Sequence, residues 1–359
     1  MQTNLSQSAK NLPRAEEAEQ ILRSCVHCGF CNATCPTYQL LGNKLDGPRG
    51  RIYLIKQLLE GEPVTRKTQL HLGRCLSCRN CETTCPSGVT CHALLDIGRA
   101  ELERRIERPA SEKLLREGLR LTISRPAVFE TLLKTGRLFR PFMPKAFGRK
   151  IPKRSVDAKR RPPTRHDRRV LMFEGCVQPS LSPNTNASAA RVLNQLGISV
   201  VHAAGAGCCG ATDFHLNGQD TGLARARRNI DAWWPAIESG AEAIVQTASG
   251  CGAFIKEYGH LLRDNPDYAQ KAQRVSELSR DLVEVLADDP LMRCKRPRIS
   301  GSRFIVRVPC NMHRGWAAQS KGSAKTRIRF DHRFRRPSVL RLGWNILDHT
   351  ARDRNRATQ

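Results

Sequence analysis

The sequence predicts a multi-domain chain of α+β class: an α-helical cysteine-rich N-terminal domain, then an α/β domain, then a basic, weakly patterned tail. Three observations predict this. Between and after two copies of a cysteine motif the apolar residues recur at helical spacing, with no strand-like alternation. From Val170 short apolar runs alternate with helical segments, as in a parallel sheet with crossover helices. From about residue 293 the periodicity fades and arginine accumulates. The divisions fall at 1–107, 108–169, 170–292 and 293–359, and a chain of 359 residues can bury cores in two or three such domains.

The first domain is framed by CVHCGFCNATCP (25–36) and CLSCRNCETTCP (75–86). Each reads C-x2-C-x2-C-x3-C-P. Three thiolates at this spacing wrap one iron–sulfur cluster, while the fourth lies too far along and reaches the other cluster, as in bacterial two-cluster ferredoxins. This assigns Cys25, Cys28, Cys31 and Cys85 to one [4Fe-4S] cluster, and Cys75, Cys78, Cys81 and Cys35 to a second. Such a pair carries single electrons and does no substrate chemistry. Zinc is the alternative, but it favours two C-x2-C pairs with a longer gap. Pro36 and Pro86 turn the chain away after the crossing ligand, and Gly29 and Ser77 leave room for the clusters. Between the motifs, Asp46 to Gly50 reads as a turn and Arg51 to Leu59 as an amphipathic helix. His92 to Glu107 reads as a helix that Pro109 ends. Cys91 is surplus as a ligand and reads as a buried or free thiol, and His27 as a surface residue.

Fifteen cysteines, clustered in a chain this long, do not describe a disulfide-knotted secreted scaffold. The polar N-terminus lacks the apolar core of a secretory signal. No apolar run reaches the ~18 residues of a membrane span. A reducing compartment and no transmembrane segment are expected.

Residues 108–169 are basic and punctuated by proline, a solvated connector or a docking segment for an acidic subunit. Beyond them, VLMFEGC (170–176) is a buried strand running into Cys176, and NASAARVLNQLG (186–197) a helix closed by Gly197. ISVV starts a second strand, followed by a glycine-rich turn with Cys208 and Cys209. LARARRNIDAWWPAIESG is helical in its first part. AIVQT (243–247) is a third strand, with Cys251 after it. Cysteines at the C-terminal ends of successive strands sit where open α/β sheets bind ligands, so Cys176, Cys208, Cys209 and Cys251 can converge. Buried cysteines acting as small hydrophobes are the alternative. GAGCCG has the glycines of a phosphate loop, but its cysteines explain it better.

The twin motifs, GPRGRIYLIK between them and the CCG-type α/β domain resemble the iron–sulfur subunit of bacterial glycolate oxidase (glycolate dehydrogenase) over residues 10 to 290. The iron–sulfur subunits of lactate-utilisation systems and of anaerobic glycerol-3-phosphate dehydrogenase, and the CCG subunit of heterodisulfide reductase, are similar. The resemblance implies an electron-transfer subunit. Separate FAD-binding subunits oxidise glycolate to glyoxylate, and this chain passes the electrons toward the quinone pool at the cytoplasmic face of the membrane. It implies a further iron–sulfur cluster on Cys176, Cys208, Cys209 and Cys251. Cys91 stands where such proteins tend to have tyrosine. An equivalent subunit for lactate or glycerol 3-phosphate, or a remnant that completes no complex, are the other readings.

The end departs from that family, whose second CCG half has stretches like HCPCTLQHA and CCGSAGTYS. From residue 293 there are instead about 18 Lys and Arg against 3 acids, the bias of a GC-rich gene read out of frame. Read from the third base of each codon, GSRFIVRVPCNMH (301–313) yields VAFHCPCTLQHA with suitable synonymous codons. Read from the second base, VLRLGWNIL (339–347) yields CCGSAGTYS. Two frames recover the two motifs in order, so the tail is expected to be a frameshifted replacement that does not fold natively. Without it the charge drops from +27 to about +12, which removes the argument for a nucleic-acid partner.

Overall fold

The computed structural model describes residues 1–144, 148–149, 151–152 and 157–288. The expected frameshifted tail, 293–359, lies outside the described residues. Those described divide into two units, Met1–Arg108 and the chain from Pro109 on.

The first unit is built from four main helices: α1 (Ala15–Ser24), α2 (Pro48–Glu60), α3 (Arg66–Gly73) and α4 (Cys91–Arg105). Helix α2 starts three residues before the expected Arg51, because proline is preorganised for the first helical position and Pro48 takes it. Gly61 closes it in the left-handed region at φ 95°. Reciprocal side-chain bonds between Thr65 and Thr68 cap α3. Leu22 of α1, Ile55, Leu58 and Leu59 of α2, Leu72 of α3 and Leu94 and Leu102 of α4 form one sealed core. Each such side chain contributes about 1.5–3 kcal/mol on burial. Helices α2 and α4 cross where Gly98 faces Ile55; a β-carbon there would lie 2.7 Å from Ile55 Cγ1. Among the described residues of this unit there is no strand.

The second unit opens with two amphipathic helices from the basic connector, α5 (Ala110–Ile123) and α6 (Pro126–Phe139). A four-stranded parallel sheet follows: β1 (Arg168–Met172), β2 (Ile198–Val201), β3 (Ile244–Gln246) and β4 (Ser279–Asp281), in the order β2-β1-β3-β4. Val170 pairs with Val200, Leu171 with Ile244, and Ile244 with Ser279. Helix α7 (Pro183–Gln195) connects β1 to β2, α8 (Gln219–Glu238) lies between β2 and β3, and α9 (Ser249–Ile255) and α10 (Ala269–Leu278) precede β4. The central strands are apolar on both faces, as a covered parallel sheet requires. Trp233, Phe254 and Tyr258 fill one side, with Phe173 edge-on to Trp233 at 5.8 Å. Helix α8 runs through Pro235, beyond the helical first part expected. The proline falls in the last turn, so its ring breaks one backbone bond and no helix of any length lies beyond it.

Candidate metal centres

The two motif loops share a backbone device. In each, the residue before the second cysteine and the residue after it are left-handed: His27 (φ 56°) and Gly29 (φ 86°) in the first, Ser77 (φ 51°) and Arg79 (φ 59°) in the second. Alternating the hand of successive residues turns their N–H groups toward one side, a nest that favours anions. Gly29 and Ser77 therefore serve by conformation more than by small size: a β-carbon on Gly29 would meet nothing closer than 3.6 Å. Holding Arg79 there costs about 1–2 kcal/mol, which the surrounding packing must offset.

Each loop walls a recess, and the fourth cysteine of each motif lines the recess of the other. The first, of about 420 Å³, is lined by Cys25, Cys28, Cys31 and Cys85. The second, of about 520 Å³, is lined by Cys75, Cys78, Cys81 and Cys35. Pro48, Cys81 and Cys91 form wall to both. Cys91, the surplus thiol, thus lies between the recesses, and its S–H holds the Cys81 thiol below its ordinary pKa. His27 is half-buried rather than on the surface: it lines the first recess, its Nε2 is buried without a partner, and burial lowers its pKa.

These recesses fit an iron–sulfur cluster better than a lone ion. Among the described residues no group of three or more His, Cys, Asp or Glu side chains is arranged as the site of a single metal ion. The thiols instead line shared recesses, several to each. Burial pushes Cys31 and Cys78 each up to about 11, so loading must release protons.

Behind the second recess lies a buried polar network. Asp46, fully sealed, accepts from His71 Nδ1 at 2.9 Å and from Arg74 Nη1 at 3.1 Å. Arg51, 2% exposed, donates from Nε to the His71 carbonyl at 2.9 Å and from Nη2 to Thr37 Oγ1 at 3.0 Å. Its Nη1 stands 3.9 Å from Cys35 Sγ. Arg99 bonds the carbonyls of Leu72 and Cys75, pinning the start of the second loop.

In the second unit the strand order reverses direction between β1 and β3, the switch point where ligands of such sheets sit. The four cysteines meet beyond the strand ends. Cys176 contacts Cys208, Cys208 contacts Cys209, and Cys209 contacts Cys251. Hydrogen bonds from Cys176 and Cys209 hold the Cys208 thiol far below its ordinary range, with Gly210 N–H donating at 3.5 Å. Cys176 is pushed up by its bond to Cys208 and by burial. Tyr258 Oη and Asn229 Nδ2 clamp the Cys209 and Cys208 carbonyls at 2.6 and 3.0 Å. Gln178 and Asn186 tie the loop after β1 to Thr247 after β3. Ser124, just past the end of α5, is fully buried beside Cys208, its hydroxyl lacking a well-formed hydrogen bond. Its spacing carries no signal, since it lies some eighty residues from the cysteine it faces.

Residues 21–89 match the 4Fe-4S dicluster domain and residues 170–256 the cysteine-rich domain called CCG. The glycolate oxidase iron–sulfur subunit of Escherichia coli K12 is 58% identical over 349 residues, 97% of this chain and 82% of that protein. The chain belongs to the glycolate oxidase iron–sulfur subunit family. A probable glycolate oxidase iron–sulfur subunit of Bacillus subtilis is 30% identical over 77% of this chain and 67% of its own length. Lactate utilization protein A of Bacillus licheniformis is 28% identical over 33% of this chain. No solved structure matches. Membership in this iron–sulfur family fits the helical first unit and the small parallel sheet of the second. Among the described residues no helix is long and apolar enough to cross a membrane.

Proposed function

We propose that this chain is the electron-transfer subunit of a glycolate-oxidising complex. It takes electrons from FAD-binding subunits that convert glycolate to glyoxylate and passes them toward the quinone pool, at the cytoplasmic face of the membrane. The observation that carries the reading is the crossed lining of the recesses: Cys85 of the second motif lines the first recess beside Cys25, Cys28 and Cys31, and Cys35 of the first motif lines the second beside Cys75, Cys78 and Cys81. Cys25, Cys28, Cys31 and Cys85 would hold one [4Fe-4S] cluster, and Cys75, Cys78, Cys81 and Cys35 a second. A cluster of this kind takes up and gives back one electron at a time. The chain's residues would seat it: the left-handed pairs turn the N–H groups of each loop toward one side, which favours an anionic cluster, and Pro48, Cys81 and Cys91 form wall to both seats. Cys176, Cys208, Cys209 and Cys251 would hold a further cluster. Nothing in the described residues argues for contact with the oxidised substrate, so glycolate rests on the family, and lactate or glycerol 3-phosphate are the competing substrates.

The test is to purify the chain with its neighbouring flavin subunits, without air, and measure glycolate-dependent quinone reduction. Activity with lactate or glycerol 3-phosphate instead of glycolate would reassign the complex; no activity with any of them would leave a remnant that holds clusters alone. The arginine-rich tail supports the remnant reading. The match to the E. coli subunit covers 97% of this chain and so continues past residue 293.

A further inference from the structure

Ser124 caps the C-terminal end of α5 and is fully buried beside Cys208 of the four-cysteine site. A serine or threonine in a helix commonly turns its hydroxyl back onto a carbonyl of the preceding turn. Thr122, two residues earlier, does so and donates to the Gly118 carbonyl at 2.7 Å. Ser124 has the same option in the Arg120 carbonyl, which accepts its N–H at 3.3 Å, and does not take it. Its hydroxyl is left without a well-formed partner. A buried hydroxyl in that condition is unfavourable, and alanine would fill the place without the cost.

The helix end that carries Ser124 is tied to the loop that carries Cys208. Arg120, one turn earlier, donates from Nε to Asp213 Oδ1 and from Nη2 to Thr221 Oγ1, each at 3.3 Å. Asp213 is 2% exposed and also accepts from Arg225 Nε at 2.7 Å. It sits in the short helix Ala211–His215, which follows Cys208, Cys209 and Gly210 directly. The Arg120 guanidinium fills space that opens only because residue 218 is glycine: a β-carbon there would stand 2.1 Å from Nη2. The connector thus does more than join the two units. Its first helix is clamped against the cysteine loop, with an unused hydroxyl facing the sulfur.

In this structure the Cys208 sulfur accepts from the Cys176 and Cys209 thiols and from Gly210 N–H at 3.5 Å. A thiol that becomes a metal ligand gives up its proton and can then only accept. Of the groups set against Cys208, the Gly210 N–H and the Ser124 hydroxyl keep their protons when the four cysteines ligate. We propose that Ser124 is the fifth member of the four-cysteine site, its hydroxyl donating a hydrogen bond to the Cys208 sulfur when that sulfur is a ligand. Ser124 is a positioning and tuning residue, not a ligand. Hydrogen bonds to sulfur set a cluster's potential, and one more donor favours the reduced, more negative state. The inference rests on the reading that Cys176, Cys208, Cys209 and Cys251 hold an iron–sulfur cluster.

The experiment compares the full chain, reconstituted without air, in wild-type form and with Cys208→Ala and Ser124→Ala. Iron and acid-labile sulfide are counted first. If Cys208→Ala holds as much of each as wild type, the four cysteines hold no cluster, and that reading fails with the inference resting on it. If Cys208→Ala holds less, the EPR signal it loses marks the site. Ser124→Ala should keep the iron and the signal, move the midpoint of that signal to more negative potential, and yield the iron to a chelator roughly tenfold faster, the worth of a hydrogen bond to a charged group. The metal-free Ser124→Ala chain should melt no lower than metal-free wild type, because the hydroxyl it lacks had no partner there. An unmoved midpoint with an unchanged rate of iron loss overturns the proposal. A metal-free Ser124→Ala chain that melts lower or fails to fold overturns it too, since the hydroxyl would then serve the fold and not the site.

Discussion

Gly210, next to Cys209, and Gly240, after α8, have nearly the same backbone, φ 94° and 91°. They differ in what surrounds them. A β-carbon on Gly240 would meet nothing within 4 Å, whereas one on Gly210 would lie 2.4 Å from the Gly222 carbonyl oxygen in the first turn of α8. Alanine at either site bears about 1–2 kcal/mol for the left-handed conformation. At Gly210 it must also push two backbones apart, which adds about 1–3 kcal/mol, as for an overpacked core. At about 2–4 °C per kcal/mol for a domain of ~150–250 residues, Gly240→Ala should melt roughly 2–8 °C below wild type. Gly210→Ala should melt a further ~2–12 °C lower. It should also weaken whatever the four cysteines bind, since Gly210 N–H donates to Cys208 Sγ. Differential scanning calorimetry of the two variants side by side is the assay. Should Gly210→Ala melt at or above Gly240→Ala, the close approach of loop and helix contributes nothing and the reasoning fails.

Cys28→Ser should remove one reduced-state EPR signal, keep the other, and end quinone reduction while the flavin subunits still reduce a soluble dye; undiminished quinone reduction would contradict the assigned route. Asp46→Ala leaves Arg74 buried without its carboxylate and should cost about 3–5 kcal/mol in denaturant unfolding; a loss under ~1 kcal/mol would show the network to be incidental. Burial pushes the Asp281 carboxyl above its ordinary 3.8. Its contribution to stability is therefore full below the unfolded pKa and is lost as pH rises through the raised folded value. Asp281→Asn, whose amide oxygen can still accept from Val283 N–H, should flatten the stability profile in that window, and an unchanged profile would rule the group out. Resequencing the gene from codon 285 should restore a single frame through HCPCTLQHA and CCGSAGTYS if the tail is a reading error; an unaltered read would make the tail a property of the chain.

Spacing along the chain made some of this legible. Cysteines three and four residues apart share a loop, and the same cysteines line each recess. The sheet's central strands announced themselves because β1 and β3 are apolar on both faces. Strand β4 did not: Ser279–Asp281 is three polar residues long and is a strand only by pairing with β3. Arg51 gave no warning of burial, because in sequence it belongs to a basic stretch and only the folded chain brings Thr37, His71 and Cys35 around it. The left-handed residues were hidden for a related reason. Glycine signals that conformation, but His27, Ser77 and Arg79 adopt it because the loop requires it, not by preference.

The crossed threading of the two recesses also bears on how the chain is made. A ribosome releases Cys25, Cys28 and Cys31 early, yet Cys85, the fourth thiol proposed for their recess, emerges more than fifty residues later. At ~5–20 residues per second that is a wait of roughly 3–11 s. The four thiols proposed for the second recess, Cys35 from upstream and three from its own loop ending at Cys81, are all out four residues sooner. Neither half of the motif pair can be finished on the nascent chain before the other is nearly so, and a chain cut anywhere between Cys35 and Cys75 would yield two fragments with three-thiol rings and no complete one.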